Sequence, residues 1–151
     1  MVMNGLWTYV TPLAIEGYSR SIVISFSGIY PPGSSGNEFA KAMREAVAKA
    51  LDTFVPDAII LDFLDLEYSW GDGIVSQVLM PLYRLYSKEG KHVACCIIAR
   101  DGTRMALEGL MKNTLLEILG VEIFEELSVA VQHLADRNGA QFGDCGKMCD
   151  K

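Results

Sequence analysis

Ala58-Ile59-Ile60-Leu61-Asp62-Phe63 is the stretch on which the fold turns. It is apolar at every position but one, rich in branched side chains, and too short for a typical helix. A strand with one face in water alternates apolar and polar residues; this one does not. A continuous apolar run is the pattern of a strand covered on both faces, at the centre of a largely parallel sheet. A parallel neighbour needs a crossover connection, usually a helix. Residues His92 to Ala99 form a second, almost continuous apolar run. A helical pattern lies between the two runs, so they are expected to be adjacent and parallel.

Upstream, Phe39, Ala42, Met43, Ala46, Val47, Ala50, Leu51 and Phe54 recur at helical spacing. Asn37 reads as the N-cap of that helix and Pro56 as its stop. Pro31-Pro32-Gly33-Ser34-Ser35-Gly36 is a breaker cluster before it. Further back, Ile22, Ile24 and Phe26 alternate with Val23, Ser25 and Ser27, as on a strand. Residues 6–14 read as an edge strand, because Pro12 donates no ladder hydrogen bond. Glu16 to Arg20 read as the turn of an antiparallel pair.

Downstream, residues Leu64 to Trp70 read as a loop, and a helix is expected from Asp72. It would turn Ile74, Val78, Leu79, Leu82, Leu85 and Tyr86 inward, kink or break at Pro81, and stop at Gly90. A third helix follows Asp101-Gly102-Thr103 to about Ile118. A short strand at Val121–Phe124 and a helix over Glu125–Arg137 close the pattern, with Leu127, Val131 and Leu134 on that helix's inner face. The expected fold is α/β: one domain over 1–138, a mixed, mostly parallel sheet of four or five strands with helices packed on it. Residues 139–151 read as a mobile tail.

Bulk properties exclude some classes of function. The chain has 151 residues, enough for one domain that needs no metal or disulfide to hold it. Thirteen basic against nineteen acidic residues give a net charge of −6. Non-specific binding to nucleic acid or to an anionic membrane needs a positive field, so neither is expected. There is no signal-peptide pattern and no membrane-spanning apolar run. Cys95 and Cys96 are adjacent and would face opposite sides of a strand, which does not read as a disulfide framework. A cytoplasmic location is expected.

Several stretches in this order resemble the STAS domain, the fold of bacterial anti-sigma-factor antagonists and of the cytoplasmic tails of anion transporters. Ser21 to Gly28 resembles the family's second strand, ending in Gly. Ile59 to Phe63 followed by Leu66-Glu67-Tyr68 is similar to its central strand and the lead-in to its signature loop. Gly73-Ile74, Gly90 before the strand from His92, and Phe124-Glu125-Glu126-Leu127 with Ala130 are further points of likeness. The resemblance covers residues 21–134 and implies a regulatory protein-interaction module. The family's loop typically reads Asp-Ser-Ser/Thr-Gly, with the first Ser phosphorylated by a partner kinase. Here those positions are Trp70-Gly71-Asp72-Gly73. Gly71 has no hydroxyl, so the phosphorylation site does not carry over. In the closing part of the third helix Thr114, not the usual Gly, stands before Leu115.

Trp70, Gly71, Asp72 and Gly73 are therefore the candidate partner-binding residues. A large aromatic between turn-forming glycines belongs to no apolar period; it anchors a partner or folds back against Tyr68. Asp72 alternatively is a plain helix cap. Gly33, Ser34, Ser35 and Gly36 are a weaker ligand-binding candidate, a Gly-rich loop before a helix without the Gly-Lys-Ser/Thr of a phosphate-binding loop. Asp62, Asp65 and Glu67 put carboxylates at the end of a parallel strand, where a solvated loop is the simpler reading of a possible cation site. His92 and His133 are isolated. Cys145 and Cys149 offer two ligands where structural zinc needs four. No catalytic set, metal or cofactor is expected. The partner would be another protein or a second copy of the chain. The rival readings are a small α/β enzyme and a nucleotide-binding module, each acting on a phosphorylated ligand.

Overall fold

The apolar run at 58–63 lies inside a sheet whose strands follow one another in space in the order they occur along the chain. The computed structural model describes residues 2–3, 5–71, 73–82, 94–112 and 121–137. The strands are β1 (Val2–Met3), β2 (Leu6–Leu13), β3 (Ser21–Ile29), β4 (Ala58–Glu67), β5 (Ala94–Ile98) and β6 (Ile123–Phe124). β1, β2 and β3 pair antiparallel, and β3 through β6 pair parallel. The helices are α1 (Asn37–Phe54), α2 (73–82), α3 (Asp101–Met111) and α4 (127–137).

The expected strands 58–63 and 92–99 are neighbours in parallel register, from Ala58 opposite Ala94 to Asp62 opposite Ile98. Pro12 falls beyond the two residues of β2 that β1 covers, where β2 is the outer strand. The two-residue β1 is an addition to the five strands read from the sequence.

Alternate residues divide the sheet between two cores. Ile22, Ile24, Phe26, Ile59, Leu61, Phe63 and Ile97 face α1, α2 and α3. They pack there with Phe39, Met43 and Val47, with Ile74 and Val78, and with Leu107. Val23, Ile60, Cys96 and Ile98 face the other way and are covered by Ala130 and Leu134 of α4. Burying one such aliphatic side chain contributes ~1.5–3 kcal/mol, and this is what makes the unalternated sequence a strand rather than a liability. Cys95 and Cys96 point to opposite faces, and burial pushes both thiols up to about 12.

Two local expectations are corrected. β4 does not stop at Phe63 but continues to Glu67, because β3 continues to Ile29 and offers a partner throughout. The register shifts once: Ser25 is opposite Asp62 but Ser27 is opposite Asp65, so β4 carries one extra residue. The Asp62 carboxylate holds this bulge, accepting from Ser25 Oγ at 2.9 Å and from the Leu64 amide at 3.0 Å. Asn37 is not an N-cap. A 3₁₀ turn over Gly33–Gly36 runs straight into α1, and Asn37 already has helical torsions. α1 ends at Phe54, just before Pro56 as expected, and Val55 caps it in a left-handed conformation (φ 45°), its amide donating to the Leu51 carbonyl at 3.0 Å. α2 is described through Pro81 to residue 82, and the expected break beyond it lies outside the described residues. Its turns widen to π geometry over Ile74–Leu79, with the Met80 amide donating to the Val75 carbonyl. A proline has no amide to give and crowds the preceding turn, and a wider turn accommodates both. Asp72, His92, Gly90, Thr114, Leu115, Cys145, Cys149 and the tail 139–151 lie outside the described residues.

Candidate functional site

The two loops singled out as separate candidates meet. β3 ends at Ile29 and β4 at Glu67, opposite one another, so the segments that leave them start side by side. Tyr30 is the residue between them. Its amide donates to the Glu67 carbonyl at 2.8 Å. Its ring is buried, edge-on to Phe39 at 5.4 Å and to Tyr68 at 5.0 Å. The Tyr68 hydroxyl donates to the Gly71 carbonyl. Thr103, at the start of α3, accepts from the Tyr68 amide at 3.2 Å and donates to the Leu66 carbonyl at 2.8 Å. The loop after β4 is thereby tied to the end of β3 and to the start of α3 before it reaches α2.

Glycines set the shape around this tyrosine. Gly33 has φ of 66°, and a Cβ there would lie 2.6 Å from Cη2 of Trp70. The indole therefore lies across Gly33. Gly71 has φ of 125°, a torsion close to exclusive to glycine, and a Cβ there would approach the Tyr30 ring at 3.3 Å and the Gly33 carbonyl at 3.4 Å. Gly36 and Gly73 both abut the Tyr30 side chain. Ser34 and Ser35 are exposed, and the Ser34 carbonyl accepts from the Asn37 amide. Trp70 remains 63% exposed although its ring rests on Gly33. Tyr30 was passed over in the sequence. Its signal is that it continues the alternation of Ile22, Ile24 and Phe26 past Gly28, directly before the Pro-Pro-Gly breaker.

The other candidates are dispersed. Asp62 is engaged by its bulge, and Asp65 and Glu67 stand on the strand rather than in a loop. Among the described residues no group of His, Cys, Asp or Glu is placed to hold a metal ion. His133 is half-buried on α4, 3.6 Å from Glu122 and packed against the Phe124 ring. Cys95 and Cys96 remain protonated thiols at neutral pH, because burial disfavours the thiolate that nucleophilic chemistry needs. No described helix is long and apolar enough to cross a membrane.

No family model matches the chain, and no curated protein matches it. Among solved structures it is similar to an anti-sigma factor antagonist from Mycobacterium paratuberculosis. That likeness covers 83% of this chain and 93% of the other, at 24% identity and a TM-score of 0.50. The chain shares the α/β fold of that protein. The Trp70–Gly73 stretch lies at the junction just described, where the ends of β3 and β4 and the start of α2 converge.

Proposed function

We propose that this STAS-like domain is a regulatory protein-docking module. Its contact surface is the Trp70 loop with the start of α2, and it lacks a phosphoserine switch. The observation that carries the reading is the placement of Trp70: a large, mostly exposed aromatic held on a floor of glycine at the signature loop. Trp is among the side chains most enriched as interface anchors, since it removes much apolar area from water and keeps one donor. The fold supports the same reading, and no catalytic step is assigned to the domain.

The absence of a switch rests on the backbone as well as on composition. A serine at Gly71 would sit in a conformation that costs ~1–3 kcal/mol for a residue with a side chain. Gly71→Ser is therefore expected to lower stability by that order in urea unfolding.

The test is capture of partners from the source cell by the tagged chain and by Trp70→Ala, followed by titration of the purified partner. An anchor predicts ~2 kcal/mol or more of lost association, with the melting temperature nearly unchanged. Loss of folding with association otherwise intact would overturn it. Mass spectrometry after incubation with ATP and cell extract should find no phosphate at residues 69–76. Stoichiometric phosphate on Ser69 would place the switch elsewhere in the loop.

A further inference from the structure

α4 covers only part of its face of the sheet. On the remainder, residues of β2, β3 and β4 lie in rows set by the register. Trp7 is opposite Ser27, and Ser27 is opposite Asp65. Tyr9 is opposite Ser25, which bonds to Asp62. Ile29 is opposite Glu67. Alternation puts all of these on the side away from Leu6, Phe26 and Leu66, which are buried under the helices. Trp7 and Tyr9 are 47% and 55% exposed and stack in parallel, with ring centroids 6.4 Å apart. Ile29 is 69% exposed, and Asp65 and Glu67 are exposed beside it. At ~4.8 Å between strands, the aromatic pair lies ~10 Å from the carboxylates. β2, β3 and β4 carry Asp62, Asp65 and Glu67 and not one lysine or arginine.

We propose that this sheet face is a second docking surface, separate from the Trp70 loop, and that it takes a basic segment of another protein. The charge and the chemistry of the face select the occupant. Arginine or lysine stems lie along apolar surface, and their charged ends reach carboxylates. Guanidinium groups also stack on Trp and Tyr rings. Nucleic acid and anionic lipid would meet like charge here and are excluded by it.

The experiment uses the full chain and two labelled peptides, one alternating Arg and Leu and one alternating Glu and Leu, read by fluorescence anisotropy. The Arg-Leu peptide is expected to bind saturably and the Glu-Leu peptide not at all. Asp65→Asn with Glu67→Gln should weaken binding about tenfold or more, as should Trp7→Ala, while Trp70→Ala leaves it within about twofold. Circular dichroism melts check that Trp7→Ala folds; if it does not, the carboxamide double variant, which alters only exposed side chains, decides. Equal binding of both peptides, or binding indifferent to the carboxamide variant, overturns the proposal. So does a dimer in sedimentation that Trp7→Ala dissolves, since the occupant is then a second copy. A truncation after Asn138 that is needed before the peptide binds overturns it as well, because the chain's own tail then fills the face. Loss of Arg-Leu binding in Trp70→Ala would merge the two surfaces into one. Failure of the Trp70 surface in partner capture leaves this test unaffected.

Discussion

The two faces of the sheet are made by the same strands, residue by alternate residue, yet they are finished differently. On one face Ile22, Ile24, Phe26, Leu61 and Phe63 disappear under three helices. On the other, Val23, Ile60, Cys96 and Ile98 are covered by α4, while Trp7, Tyr9 and Ile29 stay in water. The difference lies in what each row carries besides carbon. Apart from the Cys96 thiol, the covered rows are hydrocarbon or aromatic. The open rows interleave aromatics with Ser25, Ser27, Asp62 and Asp65, which cannot be sealed under a helix without losing hydration. One face is built to hold the molecule together; the other retains groups that can still bind.

The sharpest way to break this contrast is Phe63→Ala. Phe63 is 0% exposed and tilted against Phe26 at 5.6 Å. Truncation should cost ~3–5 kcal/mol of unfolding free energy in a urea titration. A loss under ~1 kcal/mol would mean that the helix-rich face is not the principal core. Leu134→Ala, beneath α4, should cost about 2–3 kcal/mol, toward the low end for a buried leucine, because one helix can settle into the space.

The two cysteines report on the two faces by chemistry. Both thiols should resist a neutral-pH thiol reagent until the chain is unfolded. Their pKa is raised from 9.0 to about 12, so the folded state favours the neutral form. The stabilising contribution of the neutral thiols is full below pH 9 and is lost as pH rises toward 12. Unfolding free energy should accordingly fall over that window, and Cys96→Ala should remove part of the slope. Faster labelling of Cys96 than of Cys95 would show α4 lifting before the other helices do.

The smallest effects belong to the open rows. Tyr9→Ala should change stability by no more than about 0.5 kcal/mol, the usual range for an exposed position. We also expect truncation after Asn138 to lower the melting temperature by less than the ~2–4 °C that 1 kcal/mol produces in a domain of this size.

How far the sequence could be read follows from these rows. The nearly continuous apolar runs at 58–63 and 92–99 announced strands covered on both sides, and helical spacing announced α1. What escaped is where polar residues sit inside regular structure. Asp65 and Glu67 read as loop because carboxylates discourage a strand assignment, yet β3 supplies a partner up to Ile29. The bulge at Asp62 depends on a hydrogen bond to Ser25, 37 residues away in the chain, and no local pattern contains it. Asn37 had the right chemistry for a cap, but a preceding 3₁₀ turn moved it inside the helix. At the candidate site both loops were visible as breaker clusters. Their meeting was not, because it rests on Tyr30 contacting Glu67 and Tyr68, a pairing of distant parts of the chain that no local pattern contains.

The order of the strands has a consequence for how the molecule comes into being. Since β1 to β6 are neighbours in the order of synthesis, every new strand that leaves the ribosome finds the edge it needs already exposed. The antiparallel β2–β3 pair closes through a short turn and needs nothing that follows it. β4 can then dock with α1 laid over the joint, and β5 after it. No strand has to insert between two that have already paired, a step that would require reopening a ladder. The prediction is sequential growth from one edge: pulse-labelled hydrogen exchange during refolding should protect β2 and β3 amides no later than those of β5. Protection of β5 first would mean that assembly runs from the other side.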